Sequence, residues 1–329
     1  MSIRPLLLAI VLVLPGMACP AAGQTPGFHH LHLNSTDPEA AIDFYTKHFQ
    51  STSRTTWGGQ PALISGGVLI LFNKVETPPA LAPQTALWHF GWGVTDERAT
   101  LARFLALQST FVPQWTGDGD NFVSVSSDTW PPADGSIGRT RAQIEDAKTA
   151  GIKPKGGGGF AYMNGPDGAI IEVSGNVPVE RFTHVHMLED DPLCAQLWYE
   201  KHLNAKRRAR NLEAPVTEAA CKVPRGDRVW PSMDKRGIYN GAGGGVVFSD
   251  AASNEVGLYI RPDDDAPLVS SLGHLSDHVA LSVADLDAWF AKLKREGVTI
   301  LMPPYKLGDT RAFMFEGPSK EALELVEVK

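Results

Sequence analysis

Cysteine is scarce in this 329-residue chain: there are three, at 19, 194 and 221. Three thiols cannot supply the ligands of a structural zinc finger. Basic runs are missing too, apart from the short patch Lys206-Arg207-Arg208-Ala209-Arg210, and the formal net charge is −7. A nucleic-acid partner, which needs a basic face, is therefore not expected. No apolar stretch beyond the N-terminus approaches the roughly 18 residues that cross a bilayer, and no Ser-His-Asp or Cys-His catalytic signature is present. What the chain does have is 43% hydrophobic residues, 32 glycines and 24 prolines. That composition suits a turn-rich globular protein with a substantial core.

The N-terminus reads as a targeting segment. Arg4 supplies a positive charge, residues 5–14 are almost wholly apolar, and small residues lead to Gly23. Those are the three parts of a secretory signal peptide, so residues 1–23 are expected to be removed and the protein exported. After removal no membrane association is expected. In an oxidising compartment a Cys194–Cys221 disulfide is permitted. Cys194 also fits a buried free thiol on a helix, and both readings stay open.

The chain repeats itself. Residues 28–49 and 182–203 align at an offset of 154 with nine identities in 22 positions, among them His30/His184, His32/His186, Asp37/Asp191, Tyr45/Tyr199 and His48/His202. The closing segments 165–173 and 317–325 also match and pair Glu172 with Glu324. Two related halves are expected, 25–176 and 180–329, joined at Asn176–Glu180.

Each half is double again. A histidine on an alternating strand precedes, by seven positions, an aspartate that opens an amphipathic helix: His30/Asp37, His89/Asp96, His184/Asp191 and His278/Asp285. Strand alternation buries one face, and aspartate caps the free amides of a helix start. Pro38 and Pro192 suit the first helical position, where a missing N–H costs nothing. The expected class is α+β: two tandem domains, each of two paired βαβββ modules forming an open eight-stranded barrel.

On a strand, residues two apart share a face. His30 and His32 therefore point one way and His29 the other; His184 and His186 behave as the first pair does. One triad is expected in each half: His30, His89 and Glu172 in the first, and His184, His278 and Glu324 in the second. Two imidazoles and a carboxylate form a facial set suited to one divalent ion, Fe(II), Mn(II) or Zn(II), with positions left for water or substrate. His48 and His202, at helix ends, read as structural caps. Trp115, Trp130, Arg225, Trp230 and Tyr239 lie in long insertions that could cover an organic ligand.

These openings and the closing GPDGAIIEV resemble the vicinal oxygen chelate superfamily, to which glyoxalase I, extradiol dioxygenases, and fosfomycin- and bleomycin-resistance proteins belong. The resemblance spans nearly all of 28–329. It implies a divalent metal held by first-, fifth- and eighth-strand residues, and a small oxygen-bearing organic substrate. The implied activity is dioxygenase-like or lyase/isomerase-like; the alternative is a non-catalytic protein of the bleomycin-resistance type that sequesters a small molecule. Tyr162, ten residues before Glu172, matches the extradiol tyrosine and stands as a candidate proton donor. The chain departs from glyoxalase I near Ile70 and Gly257, where that enzyme carries a fourth ligand on its fourth strand. It also departs from extradiol enzymes at Met314, the second-half counterpart of Tyr162, and at Lys153-Pro154-Lys155-Gly156, where they carry a histidine.

Overall fold

A computed structural model describes residues 24–112, 115–116, 122–123, 146, 149–151, 160–175, 177–208, 216–222, 243–248, 254–261 and 266–328. The signal segment, Trp130, Arg225, Trp230, Tyr239 and the side chain of Trp115 lie outside the described residues.

Four modules appear. The first holds β1 (Gly27–Ser35), β2 (Thr52–Trp57), β3 (Gln60–Ser65) and β4 (Val68–Lys74). The second holds β5 (Leu87–Gly93), β6 (Phe111–Val112), β9 (Phe160–Asn164) and β10 (Ile170–Ser174), with a small pair, β7 (Trp115–Thr116) and β8 (Phe122–Val123), inserted. The third holds β11 (Arg181–Glu189), β12 (Lys206–Arg207), β13 (Gly244–Val247) and β14 (Glu255–Ile260). The fourth holds β15 (Ser276–Val283), β16 (Ile300–Leu307), β17 (Thr310–Glu316) and β18 (Ala322–Glu327). In each, a helix follows the first strand: Pro38–His48, Glu97–Ala106, Pro192–Leu203 and Leu286–Arg295. Asp37, Asp96 and Asp285 cap their helices through the amides of Ala40, Ala99 and Ala288. Asp191 makes no such bond and lies 3.8 Å from Lys222 Nζ instead.

The pairing of modules differs from the expected order along the chain. One eight-stranded mixed sheet runs β16-β17-β18-β15-β1-β4-β3-β2 and the other β12-β13-β14-β11-β5-β10-β9-β6. Module one joins module four, and module two joins module three, so each sheet draws on both sequence halves. Both seams are antiparallel, with His32 opposite His278 and His186 opposite His89. The physical reason lies in the joints. Ser174 and Arg181 end on either side of Gly93, with Ser174 O accepting from Val94 N at 2.7 Å and Arg181 opposite Gly93. Such a short joint leaves β11 within reach only of the strand beside it, β5. The connectors after β4 and β14 are longer, and bridges join Ala80 to His274 and Thr85 to Val269. They leave modules one and four to complete each other.

Strand alternation assigns the faces. Leu31, Leu33, Phe90, Trp92, Val185, Met187, Val279, Leu281, Ile171, Val173, Leu323 and Leu325 enter one shared core with the helices. Trp92 stacks on Phe49 at 4.2 Å and on Tyr45 at 5.5 Å, and its indole N–H donates to Thr52 Oγ1 and Ser65 Oγ. Each such side chain contributes about 1.5–3 kcal/mol. The opposite faces carry the histidines and glutamates. His48 caps Phe44 O at 2.8 Å as expected, whereas His202 pairs with Glu296 at 2.8 Å and ties module three to module four. Among the described residues no helix is long and apolar enough to cross a membrane.

Cys194 and Cys221 are disulfide-bonded across 27 positions. Closing a loop of that size contributes about 3.5 kcal/mol in the chain-entropy account. The Cys194→Ala/Cys221→Ala protein is therefore expected to lose about that much stability in urea unfolding. An unchanged midpoint would contradict it.

Candidate metal centres

The histidines and glutamates gather into two clusters, one on each sheet. In the first, His89 of β5, Glu172 of β10, and His184 and His186 of β11 present four ligand atoms within 4.8 Å of one another. Glu172 Oε2 stands 3.0 Å from His89 Nε2, 3.5 Å from His184 Nε2 and 3.4 Å from His186 Nδ1. His186 Nδ1 and His89 Nε2 are 2.8 Å apart. In the second, His30 and His32 of β1 and His278 of β15 lie within the same 4.8 Å limit. Glu324 Oε2 of β18 is 3.3 Å from His30 Nε2 and 3.7 Å from His278 Nε2, and His32 Nδ1 is 3.2 Å from His278 Nε2.

The six expected ligands are thus at the two clusters, but in a different grouping. His30 joins His278 and Glu324, while His184 joins His89 and Glu172. The expected triads His30/His89/Glu172 and His184/His278/Glu324 do not form, because the seams join modules from opposite halves. The clusters also contain His32 and His186, which lie outside the expected triads. Their signal was in the sequence, since each shares a strand face with a chosen histidine two residues before it.

The donor set fits a metal. Ligand bonds of about 2.1 Å place neighbouring donors about 3.0–3.4 Å apart in octahedral or tetrahedral shells, and the separations around Glu172 fall near that range. His30 Nε2, His184 Nε2 and Glu324 Oε2 face the clusters and are buried without a hydrogen-bond partner. Such orphaned atoms are costly unless something else satisfies them. Their rings are also held from behind. Backbone bulges at Phe28–His30 and Phe182–His184 bring His29 and Thr183 beside the next imidazole. His29 Nδ1 lies 2.8 Å from His30 Nδ1, and Thr183 Oγ1 lies 2.9 Å from His184 Nδ1. His29 thereby turns toward its neighbour, contrary to simple alternation. His278 Nδ1 lies 2.7 Å from Asp277 Oδ1, which Asn34 and the Gly273 amide hold in turn. A partner on one nitrogen that leaves the other bare is the usual support of a metal-binding imidazole.

Electrostatics separates the members. Burial pushes His89 down to about 3, and His32 and His29 to about 4; it also holds His30 well below the ordinary range, so all four are neutral at pH 7. Burial alone would lower His278 as well, but bonds to Asp277 and Glu324 reverse it and hold it at about 9. Burial would raise Glu172; His184, His186 and His89 overcome that and keep it ionised. The His278 imidazolium therefore stabilises the metal-free fold fully below its unfolded pKa of about 6.5, and this is lost as pH rises through about 9. An ion at this cluster must displace that proton. With the first cluster disabled by Glu172→Ala, titration with Zn(II) at pH 7.5 in buffers of different ionisation enthalpy is expected to release about one proton. Release of none would contradict the protonated His278.

Tyr162 pairs with Glu172 across β9–β10, and its ring sits 4.9 Å from that of His89. Burial, followed by the Glu172 charge, raises its pKa well above the ordinary phenol value. The second cluster has Met314 opposite Glu324. There the phenol comes from Tyr305 on the edge strand β16, which donates to Glu324 Oε1. Nothing in the spacing marked Tyr305. Trp88 and Tyr259 extend the aromatic wall of the first cluster, at 6.0 Å from Tyr162 and 4.8 Å from His186. The fourth-strand residues facing the centres are Gly257 beside His186 and Leu71 beside His32; Ile70 faces the core. Glu255, two residues before Gly257, lies 3.8 Å from His186 Nε2.

A family model described as the Glyoxalase/Bleomycin resistance protein/Dioxygenase superfamily matches residues 27–124 and 181–325. The chain belongs to this superfamily. Glyoxalase I from Zea mays is similar in structure at 14% identity and TM-score 0.55, with 92% of each chain covered. A putative dioxygenase from Bacillus subtilis is similar at 13% identity and TM-score 0.53, covering 92% of this chain and 86% of its own. At such identities the likeness shows the fold alone. No curated protein matches.

Proposed function

We propose that this superfamily member is a divalent-metal-dependent enzyme acting on a small oxygen-bearing organic substrate, by dioxygenase-like or lyase/isomerase-like chemistry. The observation that carries the reading is the convergence of His89, Glu172, His184 and His186 around one buried point, with the His184 Nε2 that faces it left without a hydrogen-bond partner. The same roles fall to His30, His32, His278 and Glu324 at the other cluster. Fe(II), Mn(II) and Zn(II) are the ions that suit such donors. When bound, such an ion would supply Lewis acidity toward substrate oxygens.

The chain's own groups do the rest. Glu172, kept ionised by its three imidazoles, contributes a full negative charge. Trp88, Tyr162 and Tyr259 offer an aromatic wall beside the cluster. The Tyr162 phenol stays protonated at neutral pH and can donate a hydrogen bond or a proton to an oxygen beside Glu172. Export of the mature chain is part of the proposal, and the Cys194–Cys221 disulfide supports it.

The test is metal analysis of protein purified without chelator, followed by turnover assays on catechols and 2-oxoaldehydes with and without EDTA. Stoichiometric metal and EDTA-sensitive turnover are expected. Less than about 0.2 metal per chain would overturn the metal reading. Tight binding of such compounds with no turnover would favour the sequestration alternative.

A further inference from the structure

The internal repeat provides a control within one molecule, since equivalent positions around the two clusters can be compared strand by strand. Beside His186 the strand order outward is β14, β13, β12, with Gly257 opposite His186 and Gly245 opposite Gly257. Beside His32 the order is β4, β3, β2, with Leu71 opposite His32, Ala62 opposite Leu71 and Thr55 opposite Ala62. The first cluster thus has glycines where the second has Leu71 and Ala62. A Cβ at Gly257 would come within 2.5 Å of the His186 ring, so the missing side chain is what gives that ring room.

Over these glycines lies a buried cation. Arg208 donates its backbone N–H to Gly245 O at 3.0 Å, and a Cβ at Gly245 would meet Arg208 Cδ at 3.2 Å. The side chain therefore covers the sheet face that carries His186. It is only 6% exposed. Arg208 Nη1 binds Glu255 Oε1 at 3.0 Å, and that same oxygen is 3.8 Å from His186 Nε2. Arg208 Nη2 is buried with no partner. Thr55 and Leu69 occupy the places of Arg208 and Glu255 at the other cluster, so no charged pair stands there.

We propose that the first centre takes an acidic substrate, a small organic molecule whose carboxylate is received by Arg208, and that the second centre does not. The inference rests on the metal reading above. A guanidinium presents its N–H groups as a fork matched to a carboxylate, and one tine is already fixed by Glu255. The unpartnered Nη2 is a donor whose desolvation is uncompensated until an acceptor arrives. The patch Lys206–Arg210 thus contributes at Arg208 a buried cation that pairs with Glu255 beside His186.

Catechol and 3,4-dihydroxybenzoate serve as probes, because they share a pair of vicinal oxygens and differ by one carboxylate. Calorimetric titration of the full chain loaded with Zn(II) is expected to show 3,4-dihydroxybenzoate binding at least tenfold more tightly than catechol, with that preference confined to one site per chain. In Arg208→Gln/Glu255→Gln, which removes both charges so that neither is left unpaired, the ratio falls to about one. Arg208→Lys, which keeps the charge and loses the fork, gives an intermediate ratio. Equal affinity of the two probes in the natural protein would overturn the inference while leaving the metal reading intact. So would a preference that survives the double substitution or appears at both sites. Failure of both probes to bind the loaded protein, or binding that EDTA does not affect, would overturn the metal reading and this inference together.

Discussion

Replacing Glu172 by Ala is expected to weaken Zn(II) binding at the first centre by more than about 100-fold and leave the second centre loaded. Loss of a supporting hydrogen bond behind a ligand already costs about 10–100-fold, and the proposal makes Glu172 a ligand itself. Its Oε2 lies within 3.5 Å of all three histidines of its cluster, so no neighbouring carboxylate can take its place without rebuilding β10. Glu255 is the nearest alternative, and Arg208 already holds it. The metal content of the dialysed variant should fall from about two ions per chain to about one. Retention of both ions would place Glu172 outside the coordination sphere.

The second large effect is expected from the smallest change, Gly91→Ala. Gly91 sits on β5 opposite His184, two residues after His89 and on the same face. An added Cβ would lie 2.6 Å from His184 Nε2 and 2.7 Å from the backbone oxygen of Glu172. Neither neighbour can yield cheaply, since one is an orphaned donor of the cluster and the other belongs to the parallel β5–β10 ladder. Overpacking of this kind costs typically about 1–3 kcal/mol. The larger consequence is chemical, because His184 must swing away. The variant is expected to fold, to melt several degrees lower, and to lose the first ion while keeping the second. Normal loading of both centres would show that the His184 ring has slack there.

Much of this arrangement was legible in the residues. The four His-to-Asp openings placed the strands and helices, since strand alternation and helix capping are local effects. The alternation also put the six chosen ligands on the non-core faces where they are found. What local rules could not decide was which module completes which. Four similar modules present four similar first-strand edges, and the His30 edge could accept β5 as readily as β15 on pattern alone. The discriminating signal was the length of the joint at 175–180 against the longer connectors at 75–86 and 261–275. Sequence likeness marks the two halves but carries no information about the joints. The bulges that turn His29 toward His30 were illegible for a different reason, since an extra strand residue leaves no mark in an alternating pattern. Tyr305 belongs to a strand containing Pro303 and Pro304, residues that weaken any strand reading.

The regrouping of the histidines is the central claim, and metal stoichiometry in two double variants tests it most directly. His89→Ala/His184→Ala removes two ligands that the structure places in one centre, so about one Zn(II) per chain should remain. His30→Ala/His89→Ala removes one ligand from each centre, so essentially none should remain at low free metal. The opposite outcome, with none left in the first variant and one in the second, would mean that each half of the sequence closes on itself and that the seams described above are wrong.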